Sequence, residues 1–269
     1  MSRGFVESTT VGFARALTRA MLSERTARQR GLLQSLDPRV RVIGLFALIL
    51  AVTLSRRMAV VATLLAVAIT IALLSNVSIV TLAKRVWLIV LSFTGVIALP
   101  AVFVTPGTPV AAWGTVTITE QGLRTALMLV LRVETAVTFI TILVLCTPWA
   151  HVLKALRALR LPKEVITMLA MTYRYVFLLL KTASDMFDSR RSRTVGILSG
   201  AEQRRMAART AGVLLSKSVE LGNEVYLAMQ SRGFHGGVQV LSDFRLTRWD
   251  YCGLLSFFAV ACAAVWLGR

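Results

Sequence analysis

The fold is decided by residues 122–161, which read GLRTALMLVLRVETAVTFITILVLC and then TPWAHVLKALRALRL. The first part, Gly122–Cys146, is mostly apolar and is long enough to cross a bilayer as a helix. The second part is basic, and its apolar residues recur at helical spacing, which is typical of an amphipathic helix with one buried face. The chain therefore changes after Cys146 from membrane-spanning sequence to a polar helical segment.

Four more apolar stretches approach the length of about 20 residues that a membrane-crossing helix needs. The shortest of them is bounded by Arg41 and Arg56, so it spans only if these arginines extend their charges to the membrane surface. We predict an all-α, polytopic membrane protein with about five transmembrane helices and additional amphipathic helices. The predicted spans are Val42–Ser55, Met58–Leu74, Val86–Val104, Gly122–Cys146 and Tyr251–Gly268.

Composition and charge exclude other classes of protein. With 56% apolar and only 16% charged residues, the chain is an integral membrane protein and not a soluble domain. Its net charge of +18 lies mostly in residues 1–41 and 148–248, where no basic motif with interleaved aromatic residues is found, so we expect no nucleic-acid partner. Cys146, Cys252 and Cys262 are interpreted as small core residues.

The same charge distribution orients the chain and divides it into four parts, because Lys and Arg are retained on the cytoplasmic side of membranes. We predict a basic interfacial segment at residues 1–41, four spans in 42–147, a cytoplasmic helical region in 148–248 and the last span in 249–269. The loop at residues 105–121 has no Lys or Arg and falls outside, and Lys84–Arg85 falls inside, as this rule requires. Arg56–Arg57 falls outside, against the rule.

Three amphipathic helices are predicted in the polar region. They occupy residues 147–161, residues 163 to about 193, and residues 202–233, with Gly233 as the C-terminal cap of the third. Their predicted apolar faces contain Val152, Leu156 and Leu159 in the first helix, Ile166, Leu169, Ala170, Tyr173, Phe177 and Leu180 in the second, and Leu214, Leu221, Val225 and Met229 in the third.

The second and third of these helices end in similar sequences, Ser192-Arg193-Thr194 and Ser231-Arg232-Gly233. One arginine at a helix C-terminus is explained by the helix dipole alone, because a positive charge at this end stabilises the helix by about 0.3–1 kcal/mol. Two similar endings on neighbouring helices indicate more, because a guanidinium on a rigid helix end suits bidentate binding to carboxylates or carbonyls of a partner. We predict that this region binds two similar partners.

A set of motifs in the order of the chain carries a family resemblance. They are LDPRV at 36–40, LRV at 131–133, the stretch 156–163, MTYRY at 171–175 and EVYLAMQSRGF at 224–234. Over about residues 36–237, the chain resembles the transmembrane T component of energy-coupling factor (ECF) transporters, and most closely the cobalt, CbiQ-type branch. The last motif is similar to the second Ala-Arg-Gly signature of that family.

The resemblance implies a coupling function for residues 148–248. In that family, two cytoplasmic ABC-type ATPase subunits hydrolyse ATP, and the signature arginines of the T component sit in grooves on them. The motion would pass through the coupling helices to a separate membrane subunit that captures the substrate, for which the resemblance favours cobalt or nickel. ATP would be used by the partners, and this chain would bind no cofactor and would lie in a bacterial cytoplasmic membrane.

The signature positions can be carried over one by one. The two arginines would be Arg193 and Arg232, with Ser192 and Ser231 in place of alanine. Gly233 is retained in the second signature, whereas Thr194 replaces the glycine of the first. This departure leaves two neighbouring arginines as alternatives for the first position. The alternative arginines are Arg190 and Arg191. Separately, Pro162, which lies between two predicted helices, is a candidate coupling or structural residue.

The residues themselves support a non-catalytic subunit. The sequence contains no G-x-x-x-x-G-K-[S/T] run, which forms the phosphate-binding loop of many ATPases. His151 and His235 have no carboxylate or thiolate at ligand spacing, so we expect cobalt cargo to bind another subunit. Arg132 and Glu134, inside the fourth span, are two positions apart and cannot pair along the helix. They either contact the substrate-capture subunit or hold the membrane and cytoplasmic halves together, or, as we favour, they are structural ions satisfied by neighbouring helices.

Three functions remain in view at this point. The preferred one is the coupling subunit of an ATP-driven cobalt or nickel importer. The second is a T component that serves vitamin-specific capture subunits. The third, a membrane-embedded enzyme, is disfavoured because it would require clusters of His, Asp or Glu facing inward from the spans, and the apolar spans offer only Glu134.

Overall fold

The computed structural model describes residues 31–77, 79–83, 87–105, 108–113, 116–193, 199–234 and 247–269. The predictions on residues 1–30, Lys84–Arg85, Thr194 and His235 lie outside this part of the chain. The helices and strands are α1 (Leu32–Ser35), α2 (Pro38–Leu54), α3 (Met58–Leu74), α4 (Ile79–Leu82), α5 (Leu88–Val104), β1 (Pro109–Trp113), β2 (Val116–Thr119), α6 (Glu120–Cys146), α7 (Trp149–Ala158), α8 (Lys163–Arg193), α9 (Gly200–Ser231) and α10 (Arg248–Gly268).

The chain divides into two compact units, and the boundary falls inside α7, after Ala155. The first, which we call the membrane unit, contains the described residues of Glu24–Ala155 and Phe244–Arg269. The second, which we call the two-helix unit, contains the described residues that follow in sequence up to Phe234, with α8 and α9. The predicted all-α membrane architecture is confirmed: α6, α8 and α10 are long and apolar enough to cross a membrane, and α3 and α5 are shorter apolar helices.

In the membrane unit, α2 packs along α10 and α6, and α6 also packs along α3 and α5. The buried core includes Leu45, Leu48, Val61, Phe139 and Ile142. Outward-facing apolar side chains remain exposed on the same helices, as expected for surfaces in contact with lipid. They include Phe46, Leu54, Phe93, Val96 and Trp266.

The first span begins earlier than predicted. Asp37 caps α2 by accepting a hydrogen bond from the Arg39 amide, and Pro38 occupies the first helical turn. An Asp-Pro pair is a helix-start signal, so the sequence contained this boundary. The condition that Arg41 extend to the membrane surface is not met: its side chain is only 4% exposed, because backbone carbonyls within the membrane unit bind its guanidinium.

Close helix contacts explain two glycines in this unit. A Cβ on Gly44 of α2 would lie 2.5 Å from the Phe257 ring of α10, and a Cβ on Gly268 would lie 2.7 Å from the Ser55 hydroxyl. Beside that second contact, the Arg56 amide donates to the Gly268 carbonyl at 2.8 Å. Glycine therefore lets α10 approach α2 at both of these levels.

A β-hairpin occupies the loop that we predicted only as an external segment at residues 105–121. Strands β1 and β2 pair antiparallel, with Pro109 opposite Thr119 and Trp113 opposite Val116. The alternating, β-branched sequence Val116–Thr119 was a strand signal that a helix-based interpretation overlooked. Thr119 then caps α6, because its side chain accepts a hydrogen bond from the Gly122 amide.

The cysteine interpretation is confirmed for Cys146, which is buried, and is wrong for Cys252 and Cys262, which are exposed on α10. In a membrane helix an apolar residue need not face the protein core, because the lipid is itself apolar. Composition alone therefore could not separate core positions from lipid-facing ones.

By length and composition, α8 also qualifies as a membrane span, along with α6 and α10. The connectivity argues against such a crossing. Cys146, at the end of α6, and Asp250, at the start of α10, both interact with Arg41, so the chain leaves and re-enters the membrane unit at the same end. An even number of crossings must lie between them. Among the described helices between these two ends, only α8 is a candidate span, and one crossing by α8 would put the ends on opposite sides of the membrane. We therefore interpret α8 as an amphipathic helix outside the bilayer.

Candidate functional site

The first arginine ending lies at the end of α8. The helix begins at Lys163 and its last residue is Arg193, as predicted. Arg193 and Ser192 are exposed, and the Ser192 hydroxyl donates to the Ser189 carbonyl at 2.8 Å. Arg190 is half-buried, and Arg191 lies on the same final turn. The structure thus presents the Arg193 guanidinium on the surface at a helix C-terminus.

The second arginine ending is held by a complete C-terminal capping motif. Gly233 has φ of 73°, its amide donates to the Gln230 carbonyl at 2.9 Å, and the Phe234 amide donates to the Met229 carbonyl at 3.1 Å. These two bonds define a Schellman motif, in which the left-handed residue is normally glycine. The prediction that Gly233 caps this helix is confirmed. Arg232, the residue before it, is exposed.

Helix α9 begins at a capping box that the sequence analysis missed, because we placed the start at Glu202. Ser199 accepts a hydrogen bond from the Glu202 amide, and the Glu202 carboxylate accepts bonds from the Ser199 amide and hydroxyl at 2.9 and 2.8 Å. These bonds hold the pKa of Glu202 below its usual value. Both ends of α9 are therefore fixed by local hydrogen bonds.

The apolar faces predicted for α8 and α9 are confirmed, and the two helices contact each other. In α8, Tyr173 and Phe177 stack edge to face with ring centroids 5.1 Å apart, and Ala183 and Phe187 are buried. In α9, Thr210 is buried. The residues of the predicted stripes are all half-buried: Ile166, Leu169, Ala170, Tyr173, Phe177 and Leu180, and Leu214, Leu221, Val225 and Met229.

Each of the two helices also carries exposed apolar side chains. Met168 is 69% exposed on α8 and Leu215 is 68% exposed on α9. Exposed apolar surface of this kind marks contact with a membrane or another protein. The remaining members of this surface are Val165, Val176, Leu178, Val213, Val219, Tyr226 and Leu227.

The connection into α8 passes through a strained residue. Helix α7 ends at Ala158, and Arg160 follows with φ of 63°, a left-handed conformation that a residue other than glycine rarely adopts. Pro162, which is exposed, then precedes α8, and its carbonyl accepts from the Ile166 amide at 3.3 Å. In α7, the buried residues are Leu153 and Ala155, so the predicted apolar face is displaced by about one residue, and Leu159 is exposed.

Arg132 and Glu134 occupy different environments on α6. The Arg132 guanidinium donates to the Ser55 carbonyl at 2.7 Å, at the end of α2. Glu134 is only 8% exposed and lies on the buried face of the helix beside Thr135 and Thr138. The Arg132 bond ties α6 to α2 within the membrane unit, and the role of Glu134 stays a prediction.

A polar group of three buried charged residues, missed by the sequence analysis, lies at one end of the membrane unit. We call Arg41, Asp37 and Asp250 the Arg41 cluster. Each is less than a tenth exposed. The Asp37 amide donates to one Asp250 carboxylate oxygen at 2.6 Å, and the Thr247 amide donates to the other at 2.8 Å. Part of the signal was the LDPRV motif, which we had quoted only for its resemblance.

Comparison with known proteins now identifies the family. The family described as CbiQ, cobalt transport protein, matches residues 29–241, which is most of the chain. The chain belongs to the CbiQ family. It is therefore a transmembrane subunit of a transport system.

Several curated relatives share much of the sequence. An uncharacterized protein of Methanocaldococcus jannaschii is 33% identical over 244 residues, covering 89% of this chain and 84% of its own. The energy-coupling factor transporter transmembrane protein EcfT of Listeria innocua is 26% identical over 252 residues, covering 87% and 93%. The cobalt transport protein CbiQ of Rhodobacter capsulatus is 32% identical over 128 residues, covering 46% and 51%. The recognition of an ECF T component of the CbiQ type is thus confirmed.

Among the described residues, no group of three or more His, Cys, Asp or Glu side chains is arranged to hold a metal ion. The predictions that this chain binds no cofactor and that cargo binds elsewhere therefore stay predictions. In the Arg41 cluster, the two buried carboxylates lie with a guanidinium, which is itself a cation.

Proposed function

We propose that this chain is the coupling subunit of an ECF-type importer, and that Arg193 and Arg232 each bind one cytoplasmic ABC-type ATPase subunit. ATP hydrolysis by those partners moves α8 and α9, and this motion acts on a separate membrane subunit that captures the substrate. The chain contributes no catalytic residue of its own. Its ATPase-facing helices lie on the cytoplasmic side of the bacterial inner membrane.

The observation that carries this proposal is the shared design of two helix ends. Both α8 and α9 are more than 30 residues long and present an exposed arginine at the C-terminus, where the dipole stabilises it. In α9 the Schellman motif leaves Arg232 little backbone freedom. An arginine fixed at a helix end can form bidentate hydrogen bonds with a partner at a low cost in side-chain entropy.

The exposed apolar surface of α8 and α9 supports a second contact. Met168 and Leu215 are too exposed to contribute to the packing between the two helices. An exposed apolar surface on helices of a membrane protein suits a membrane-embedded partner or the bilayer surface. We assign it to the capture subunit and the adjoining lipid.

The proposal is tested by the double variant Arg193→Ala/Arg232→Ala. In proteoliposomes that contain this chain, its ATPases and its capture subunit, we expect ATP-driven uptake to be lost. Retention of the ATPases during purification in detergent should fall as well. The amount of the chain in the membrane should not change, because both side chains are exposed.

The matched control is Arg205→Ala/Arg209→Ala, which removes two exposed arginines from the first half of α9 and not from a helix end. It should keep uptake and ATPase retention close to those of the wild type. Normal uptake by the Arg193/Arg232 variant, or equal losses in the control, would remove the helix ends from the mechanism.

Single variants distinguish the arginines at the end of α8. If Arg193 makes the contact, Arg193→Ala should reduce ATPase retention, whereas Arg190→Ala and Arg191→Ala should not. The opposite pattern would transfer the first contact to Arg190 or Arg191, as the Thr194 departure from the family signature allows. In that case the function would stand and the residue assignment would change.

Cobalt is the proposed cargo, with nickel as the second metal. The family name and the CbiQ relative support cobalt, whereas the EcfT relatives, whose names specify no cargo, support a subunit that serves other capture proteins, including vitamin-specific ones. Uptake of labelled Co²⁺ and Ni²⁺ by the purified assembly, compared with labelled vitamins, decides between these. Vitamin uptake without metal uptake would favour the alternative.

A further inference from the structure

The Arg41 cluster lies at the end of α6 and the start of α10, the two membrane helices on either side of residues 147–247. Cys146 ends α6, and from there the chain continues into α7 and the two-helix unit. Asp250 lies in the first turn of α10, just after the chain has returned. Arg41 donates a hydrogen bond to the Cys146 carbonyl at 3.0 Å and interacts electrostatically with the Asp250 carboxylate. One side chain is therefore hydrogen-bonded to the end of α6 and interacts electrostatically with the start of α10.

The remaining bonds of Arg41 fix it to the turn between α1 and α2. Its guanidinium donates to the Leu36 carbonyl from Nε at 2.9 Å and from Nη2 at 2.6 Å, and to the Gln34 carbonyl at 2.7 Å. Gln34 in turn donates from its side chain to the Ser75 carbonyl, at the end of α3, at 3.1 Å. The same end of α1, α2, α3, α6 and α10 is thus joined by one hydrogen-bonded network.

A buried charge of this kind is unfavourable unless several groups compensate it. Moving an ion out of water costs several kcal/mol even in real proteins, so a buried arginine needs both hydrogen bonds and opposite charge. Asp37 and Asp250 supply the opposite charge, and the carbonyls of residues 34, 36 and 146 accept the hydrogen bonds. This network has one preferred geometry, because the planar guanidinium fixes the directions of its donors.

We infer that the Arg41 cluster is a positioning element that holds the end of α6 and the start of α10 in fixed positions, so that ATP-driven movement that reaches these helix ends is transmitted to α2, α6 and α10. The inference rests on the proposed coupling function. Without the cluster, the ends of α6 and α10 would move independently, and the same movement would be absorbed by local bending. Arg41 then acts through the helix ends it holds and touches neither ATP nor cargo.

The test separates a role in coupling from a role in stability by measuring both ATP hydrolysis and cobalt import in the assembled complex. Arg41→Lys keeps the charge but replaces a planar fork by a single point donor, which cannot reach all three carbonyls. In proteoliposomes with the ATPases and the capture subunit, we expect ATP hydrolysis per assembled complex to stay near wild type. The amount of labelled Co²⁺ imported per ATP should fall by about tenfold, within the usual range of coupling between sites.

The matched control is Arg57→Lys, which changes an exposed arginine at the opposite end of α2 and α3. It should keep the wild-type ratio of cobalt imported to ATP hydrolysed. If Arg41→Lys keeps that ratio too, or if hydrolysis and import fall in parallel, the cluster is structural and the inference is overturned.

A second readout does not depend on cargo or on ATPases. Spin labels at Ser35→Cys on α1 and Ala150→Cys on α7, both exposed positions within a few residues of the Arg41 partners Leu36 and Cys146, report the distance between the two segments that Arg41 joins. The chain without its native cysteines should give a narrow distance distribution, and Arg41→Lys should broaden it. A narrow distribution in the variant would overturn the inference even if the proposed coupling function were wrong.

If Arg41→Lys does not accumulate in the membrane, the same measurements on Asp250→Asn decide. This variant keeps the size of the side chain and one acceptor oxygen while removing the negative charge. If neither variant accumulates, the cluster is required for folding of the membrane unit, and a specific role in coupling is rejected.

Discussion

At the scale of single residues, two left-handed positions border the helices that we assign to coupling. Gly233, with φ of 73°, closes α9, and Arg160, with φ of 63°, joins α7 to α8. Glycine adopts this conformation without a steric penalty, whereas for arginine it costs about 1–2 kcal/mol. The left-handed conformation is therefore unstrained at Gly233, next to Arg232, and strained at Arg160.

We predict that Gly233→Ala lowers the free energy of unfolding by about 1–2 kcal/mol, because a Cβ disfavours the left-handed conformation. The change should also displace Arg232 and reduce ATP-driven uptake. Thermal unfolding in detergent and uptake by the reconstituted assembly provide the two measurements.

Gly222→Ala is the control for that substitution. Gly222 lies inside α9, where a Cβ would meet nothing within 4 Å, so alanine should stabilise the helix by about 1 kcal/mol. Uptake should be unchanged. A Gly233→Ala variant that matched Gly222→Ala in stability and uptake would contradict the importance of the Schellman motif.

At the scale of helices, α9 shows how local hydrogen bonds set both ends of a long element. The capping box of Ser199 and Glu202 supplies acceptors for amides that have no partner in the first turn. The Schellman motif supplies the corresponding bonds at the other end. Between them, the stripe from Thr210 to Met229 faces inward, so packing against α8 determines only the rotation of the helix.

The capping box predicts a pH-dependent contribution to stability. Hydrogen bonds from Ser199 lower the pKa of Glu202 in the folded chain, so its stabilising effect is complete above its ordinary value of 4.5. The effect should be lost as the pH falls through the lowered value. Glu202→Gln should therefore be less stable than the wild type at neutral pH and equally stable at strongly acidic pH, as measured by thermal unfolding. A pH-independent difference would contradict this assignment.

The bounds of a helix were predictable from sequence wherever the local sequence contained a strong start signal and a regular apolar repeat. Lys163 and Arg193 were correct as the bounds of α8, because Pro162 starts the helix and its apolar face repeats every three or four residues. The hairpin of residues 109–119 was missed because its strand signal is only a few residues long. A membrane protein interpreted as all-helical gave no reason to look for strands. Burial of Arg41 was unpredictable, since its partners come from residues as far away as Cys146 and Asp250.

The candidate site was predictable to the same extent. The helix ends at Arg193 and Arg232 follow from local sequence, and the structure places both on the surface. The Arg41 cluster depends on contacts between distant segments, and no spacing rule brings Asp37 and Asp250 together. A charged residue at the edge of a predicted span is the signal to examine, and for Arg41 we interpreted it as a surface-seeking side chain.

At the scale of the whole molecule, the orientation in the membrane is a prediction with a direct test. In a chain without native cysteines, a membrane-impermeant maleimide should label Thr108→Cys in intact cells, because we place the hairpin outside. Asn223→Cys on α9 should react only in inside-out vesicles. Both positions are exposed, so access to reagent depends on the side of the membrane. Labelling of Asn223→Cys in intact cells would reverse the topology.

The absence of a phosphate-binding loop from the sequence gives a second prediction at this scale. The purified chain alone should hydrolyse no ATP, whereas addition of the ATPase subunits should produce turnover that depends on Arg193 and Arg232. A phosphate-release assay with the isolated chain measures this. Hydrolysis that disappears after a substitution in this chain alone, for example Glu134→Gln, would contradict the assignment of a non-catalytic subunit.

The placement of Cys146 and Asp250 at one end of the membrane unit also has an evolutionary consequence. Segments whose two attachment points lie close together can be lengthened, shortened or exchanged without disturbing the scaffold that carries them. Residues 147–247 are such a segment. When the binding surfaces of the partners change in sequence, substitutions in this segment alone can compensate. Relatives can thus diverge in what they assemble with while the lipid-embedded helices retain one packing arrangement.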